Sequence, residues 1–251
     1  MKILGIDTAT AVASVALVEN GKLVAEEIQN KSDESSDGTG APPRGSHAEI
    51  VIPLIQSMLA KRRMETADLS GLAISIGPGS FTGLRIGLAT AKGIAYECGL
   101  PLVGVSTLHA NAARVTGFEG IICSLLDARK SEVYFALFRG EADQIKRITE
   151  DAISPISDAL EQVMKCEDAV SGSLLFIGDG ARVYQKLLTS KFGVSARISA
   201  GNGYSSVAAQ VSSLAERRFH AQMTDDIARL VPVYLRPSEA ETKRSESAVT
   251  C

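Results

Sequence analysis

Two apolar, strand-like runs of this chain each end in an aspartate, Asp7 and Asp127. An aspartate at the end of a buried strand can hold magnesium or orient a phosphate, and Arg129 adds a cation to the second of these turns. The plainer role for Asp127 and Arg129 is an ion pair that fixes a cleft between domains. Glycine-rich turns supply the other half of such chemistry. Gly77-Pro78-Gly79-Ser80 leads from a strand-like run into a long helix-like run, with Ser80 placed as its cap, and Gly178-Asp179-Gly180 makes a second turn of the kind. A helix N-terminus presents free N–H groups and partial positive charge, which suits a phosphate. Glycine also permits dihedrals that a side chain forbids, so each turn has a purely structural reading as well. No Gly-Lys-Ser/Thr follows either turn, so neither is a P-loop.

Other chemistries lack their residues. His47, His109 and His220 lie far apart, and Cys98, Cys123, Cys166 and Cys251 contain no C-x-x-C pair. That spacing offers no zinc site and fits a reducing compartment. No G-x-S-x-G elbow marks a serine hydrolase.

The elements that position the aspartates and glycines follow from the apolar pattern. Residues 2–6, 12–18 and 22–28 read as strands, the last two joined by the Asn20-Gly21 hairpin signal. Residues 31–46, rich in Ser, Asp, Gly and Pro, read as a mobile loop. A helix over 47–63, a strand over 72–76, the helix over 81–98, a strand over 102–105 and a helix over 107–115 complete a first half. Strands over 121–126, 132–138 and 144–149, a helix over 154–164, a strand over 174–177 and helices over 181–189 and 205–219 make a degenerate second half. The recurrence of a strand meander that opens on an aspartate-ended run points to duplication.

The helix over 81–98 is unusual. Gly83, Gly87, Ala91 and Ala95 recur every fourth residue, so one face carries no bulk. Arg85, Ala89, Lys92 and Tyr96 share a second face. A surface helix ordinarily has a broad charged side, and this one has little charge. Each of Gly83, Gly87 and Gly93 costs about 1 kcal/mol of helix propensity relative to alanine, a loss that close packing must offset. A central helix in a larger monomer satisfies this, and so does a helix–helix contact with another protein. The second is preferred, with the small-residue face kept free for a foreign backbone.

The 251 residues, 45% of them apolar, allow one large domain or two small ones. A net charge of −3 gives no electrostatic case for nucleic-acid binding by the chain alone. Asp7 interrupts the first apolar run, so no signal peptide is expected, and no apolar stretch reaches the roughly 20 residues of a membrane span. A soluble, cytoplasmic protein is expected.

Ile6 to Thr10, Ser14 to Leu17, Gly77 to Gly87, Gly104 to Leu108, Asp127 to Tyr134 and Val233 to Arg236 together resemble the bacterial TsaB family, also called YeaZ. The resemblance runs from the N-terminus to about Arg236. It implies an α/β fold of the actin, Hsp70 and sugar-kinase superfamily, with duplicated βββαβα units in two domains. Residues 1–106 would form the N-terminal domain with the partner-binding helices. Residues 107–236 would form the degenerate C-terminal domain, its helix 205–219 packing back on the first, and 237–251 a disordered tail. The resemblance further implies a non-catalytic subunit that partners TsaD, with TsaE, to place a threonylcarbamoyl group on the adenosine 3′ of the anticodon in tRNAs. Pairing would run through Ile50, Leu54 and Met58 of one helix and Gly83, Leu84, Gly87, Leu88, Ala91 and Ala95 of the other. A homodimer through the same surface is expected of the chain alone, with tRNA met only indirectly and no membrane partner. No cofactor is required of this subunit, and ATP with magnesium has room at the cleft or at the partner junction. Asp7, Thr8, Asp127, Arg129, Gly178 and Gly180 are the cleft residues. Kinases of the superfamily carry glycines after the first aspartate; here Thr8-Ala9-Thr10 crowds that position, which points to a degenerate cleft. The alternative is an active ATP-binding phosphotransferase or ATPase of the same superfamily.

Overall fold

The computed structural model describes residues 1–30, 47–141, 144–166, 173–193, 196–199 and 206–236. The loop expected at 31–46 and the tail expected at 237–251 lie outside these. Two sheets repeat one strand order. In the first, β1 (Lys2–Asp7), β2 (Val12–Glu19) and β3 (Lys22–Asn30) form an antiparallel meander. Asn20 and Gly21 turn it with φ of 49° and 76°, the left-handed pair a type I′ hairpin demands. Helix α1 (His47–Lys61) leads to β4 (Gly71–Gly77), and α2 (Phe81–Cys98) to β5 (Leu102–Ser106). Strands β4 and β5 lie parallel to β1, giving the order β3-β2-β1-β4-β5.

Helix α3 (Thr107–Ala112) opens the second half, followed by β6 (Gly120–Asp127), β7 (Glu132–Glu141), β8 (Gln144–Arg147) and β9 (Ala152–Pro155). Then come α4 (Ile156–Lys165), β10 (Leu174–Ile177), α5 (Asp179–Val183), α6 (Gln185–Phe192), β11 (Ala196–Ile198) and α7 (Ala208–His220). Read from its β8 edge, the second sheet runs β8-β7-β6-β10-β11, the pattern of the first, with β9 added on β7. This is the duplicated arrangement of the actin, Hsp70 and sugar-kinase fold.

Helices α1 and α2 cover one face of the first sheet, where Ile55, Met58, Leu88 and Ala91 meet Leu4, Ile6, Leu72 and Ile74. Helix α7 covers the other, setting Val211, Ala215 and Phe219 on Ile3, Ala73 and Val103. The last helix therefore belongs to the core of the first half. Gly5 lets it approach, since a Cβ there would stand 2.2 Å from the Ala208 carbonyl oxygen. Helix α3 serves both sheets. Its Ala110 joins the α7 cluster, while Leu108 and Ala112 pack with Ile122 and Phe138 of the second sheet.

Some local expectations need correction. Ser154 and Pro155 end strand β9 rather than start the helix expected over 154–164, because pairing with β7 holds them extended and the helix opens only after Pro155. The single helix expected over 181–189 is two, broken at Tyr184, where φ is −100° and ψ 17°. Strand β11 is too short to show a period of its own.

Candidate functional site

Helix α2 is set by its ends. Ser80 accepts a hydrogen bond from the Gly83 N–H at 3.3 Å, and Gly99, at φ 62°, closes the last turn. Its small-residue stripe is turned inward, against the sequence expectation. Gly83, Leu84, Gly87, Leu88, Ala91 and Ala95 are all buried in the chain's own core. A Cβ on Gly87 would stand 2.2 Å from Thr8 Oγ1 and 3.1 Å from Ile74 Cδ1. Thr8 is itself fixed there, its hydroxyl donating to the Gly83 carbonyl at 2.8 Å. What fills the space beside Gly87 is thus side chains of the chain's own first sheet and of the turn after its first strand. Ile50 and Met58 of α1 are buried in the same core and Leu54 is half-buried, because both apolar rows of that helix turn toward the sheet.

What faces outward is the second side of α2. Arg85, Ala89, Gly93 and Tyr96 are exposed, Tyr96 at 84%. Among the described residues nothing lies within 4 Å of the position a Gly93 Cβ would take. Beside it, α1 exposes Ile52, at 48%, together with Pro53, Gln56 and Ala60. Both helices rest on one sheet face, so these residues form one surface directed away from it. The sequence named Arg85, Ala89, Lys92 and Tyr96 as a face; Lys92 is half-buried, its amine donating to the Ala228 carbonyl, and Gly93 belongs to the face by helical spacing.

The cleft residues fall into two groups with no shared bonding partner. Asp7 is fully buried. Its Oδ1 accepts from the Ser75 hydroxyl and, at 3.1 Å, from the Ala9 N–H, while Oδ2 has no partner among the described residues. Burial pushes its carboxyl above the usual range, against the pull of those two bonds. The turn beyond it is filled by the chain. The Ser80 N–H donates to the Ala9 carbonyl at 2.6 Å, and a Cβ on Gly79 would stand 2.3 Å from that oxygen. The Gly77–Ser80 turn thus packs directly on the residues that follow Asp7.

The second group gathers at the end of β6. Asp127 accepts from the Arg129 N–H at 3.0 Å and pairs with its guanidinium at 3.6 Å, a contact within the one turn with Arg129 exposed. The Asp179 carboxylate accepts from the Asp127 N–H at 3.0 Å, and burial raises its carboxyl above the usual range. Gly178 and Gly180 have structural causes. Their Cβ positions would lie 2.0 Å from the Leu125 carbonyl oxygen and 3.0 Å from Leu126 C, and Gly178 has φ 99°. Among the described residues no three His, Cys, Asp or Glu side chains gather to hold a metal, and no helix is long and apolar enough to cross a membrane.

Comparison with known proteins places this geometry. Residues 22–244 match the family model described as TsaD, tRNA N6-adenosine threonylcarbamoyltransferase. The tRNA threonylcarbamoyladenosine biosynthesis protein TsaB of Escherichia coli (strain K12) is 34% identical over 191 residues, covering 74% of this chain and 75% of its own. The protein of that name from Bacillus subtilis (strain 168) is 29% identical over 247 residues, covering 98% and 99%. Among solved structures, YeaZ from Pseudomonas aeruginosa superposes with a TM-score of 0.74 at 24% identity, over 93% of this chain and 99% of that one. The ethanolamine utilization protein EutJ from Carboxydothermus hydrogenoformans does so with 0.50 at 15% identity, over 85% and 90%. These two structures speak for the fold alone.

Proposed function

We infer the role of this chain from one premise: it belongs to the TsaB (YeaZ) family of TsaD-like proteins. It acts as the accessory, non-catalytic subunit that binds TsaD, with TsaE, for transfer of the threonylcarbamoyl group to the adenosine 3′ of the anticodon in tRNAs. Gly93 carries this reading. A glycine in a helix interior costs about 1 kcal/mol relative to alanine. Gly83 and Gly87 are buried, with Thr8 and Ile74 beside Gly87, whereas no described residue lies within 4 Å of the position a Gly93 Cβ would take. It stands with Ala89 and Tyr96 on a face that leaves a foreign helix room to approach and offers an aromatic anchor. The docking surface is therefore the outward side of α1 and α2, residues Ile52, Pro53, Ala89, Gly93 and Tyr96, in place of the inward stripe.

Alone, the chain pairs with itself through the same surface. With a net charge of −3 it adds little tRNA affinity of its own, and partner subunits make the phosphate contacts. It works in the cytoplasm and needs no cofactor; ATP and magnesium, where the complex uses them, sit at the junction with the partner. Co-expression with tagged TsaD tests the pairing. The parent chain should co-purify and Gly93→Leu should not, while Gly93→Leu alone remains folded by circular dichroism. Equal recovery of both would overturn the assignment of the surface.

A further inference from the structure

The segment after α7 runs back across both halves of the molecule. The Asp225 N–H donates to the Leu102 carbonyl at 2.9 Å, and its carboxylate accepts from the Gly104 N–H at 2.8 Å, which covers the β5 edge. Lys92 of α2 donates to the Ala228 carbonyl at 3.2 Å. The Val233 N–H then donates to the Ile76 carbonyl at 2.8 Å, extending the end of β4. Next, Tyr234 stacks on Phe81 with ring centres 4.1 Å apart and accepts from Arg85 Nε at 2.9 Å. The Arg85 guanidinium also lies 4.1 Å above the Phe81 ring. Two residues on, Arg236 reaches the second half, donating to the Ala128 carbonyl at 2.7 Å and pairing with the Glu132 carboxylate.

The loop that Arg236 grips is strained. Arg129, Lys130 and Ser131 have φ of 64°, 53° and 59°, consecutive left-handed residues with no glycine among them. Side-chain-bearing residues avoid that region, and runs of them persist only where the surroundings hold them. The loop's own backbone bonds are Ala128 N–H to Glu132 carbonyl and Glu132 N–H to Arg129 carbonyl, both 3.0 Å, with Ile156 N–H to Ser131 carbonyl at 3.0 Å. Both groups that Arg236 grips flank the strained triplet.

We propose that residues 233–236 are an interdomain latch: Tyr234, clamped between Phe81 and Arg85, positions Arg236, and Arg236 holds the 128–132 loop in its strained form. One covalent path of three residues then joins the first turn of α2 to the β6–β7 loop. A disturbance at Arg85 reaches the loop although Arg85 is bonded to no residue of it. The latch belongs to the free chain and does not depend on pairing.

Hydrogen exchange on the full chain tests it, read at the Ala128, Glu132 and Ile156 amides, with β1 and β2 amides as the control for global unfolding. Arg236→Ala should speed exchange at those three sites about tenfold and leave the control unchanged. Arg85→Ala should do the same, from the other domain. Trypsin gives a second readout, because Arg129 and Lys130 are exposed, and both variants should be cut there about tenfold faster. Unchanged loop exchange in Arg236→Ala overturns the latch. A response in Arg236→Ala without one in Arg85→Ala overturns the coupling and leaves only a local contact.

Discussion

Two glycines of one helix should respond to substitution with opposite signs. At Gly93 an added methyl meets no described residue within 4 Å. Alanine there should gain the propensity difference, about 1 kcal/mol. For a chain of this size that raises the melting temperature by about 2–4 °C. At Gly87 the methyl would stand 2.2 Å from Thr8 Oγ1. Thr8 can yield only by breaking its 2.8 Å bond to the Gly83 carbonyl, and Ile74 stands 3.1 Å away on another side. Overpacking of this kind costs about 1–3 kcal/mol, so Gly87→Ala should melt several degrees lower. Pairing should reverse the roles. Gly93→Leu leaves the subunit as stable as the parent or more so. A partner helix that fits against glycine is pushed away at a cost of about 1–3 kcal/mol, a loss of about 5- to 150-fold in affinity. Thermal melts of the isolated chain and calorimetric titration with TsaD measure both. The reasoning fails if Gly93→Ala lowers the melting temperature, or if Gly93→Leu binds TsaD as tightly as the parent.

His109 sets a pH dependence. Burial and the Arg147 guanidinium lower it from its ordinary 6.5 to about 4, so the folded ring is neutral where the unfolded one takes a proton. Stability should fall as pH drops from about 6.5 to about 4, then level off, because the unfolded state binds more protons in that window. Asp7, raised by burial, acts in the opposite sense. Comparing urea midpoints of the parent and His109→Phe, which keeps the stack on Phe138, isolates the histidine slope; parallel curves would refute it. Gly5→Ala should lower the unfolding free energy read from urea melts by about 1–3 kcal/mol or more, since its methyl enters the Ala208 carbonyl. Calorimetric titration of the isolated chain with magnesium and ATP should give no low-micromolar binding. A signal of that strength, lost in Asp127→Asn, would revive the phosphotransferase reading.

Much of the fold was legible because its signals are local. The hairpin at Asn20-Gly21 needs only those residues and their neighbours, and the halves share a strand that ends in aspartate, at Asp7 and Asp127. The face of α2 was not legible, for a physical reason. Small residues stand on two sides of that helix: Gly83, Gly87, Ala91 and Ala95 on one, Ala89 and Gly93 on the other. Periodicity shows that both lack bulk and cannot show which one the chain fills itself. The deciding residue is Thr8, on the turn after the first strand, and its bond to Gly83 spans 75 positions. The sequence reading had Thr8 crowding a phosphate; in the fold it also fills the space left by Gly87. Arg85 poses the same problem, since its partner Tyr234 lies 149 positions away. A glycine's meaning lies in what its missing Cβ would touch. At 87 that is the protein's own core, and at 93 it is nothing among the described residues. A docking face on such a helix is the part left over once the chain's own packing is subtracted, and the subtraction requires the tertiary structure.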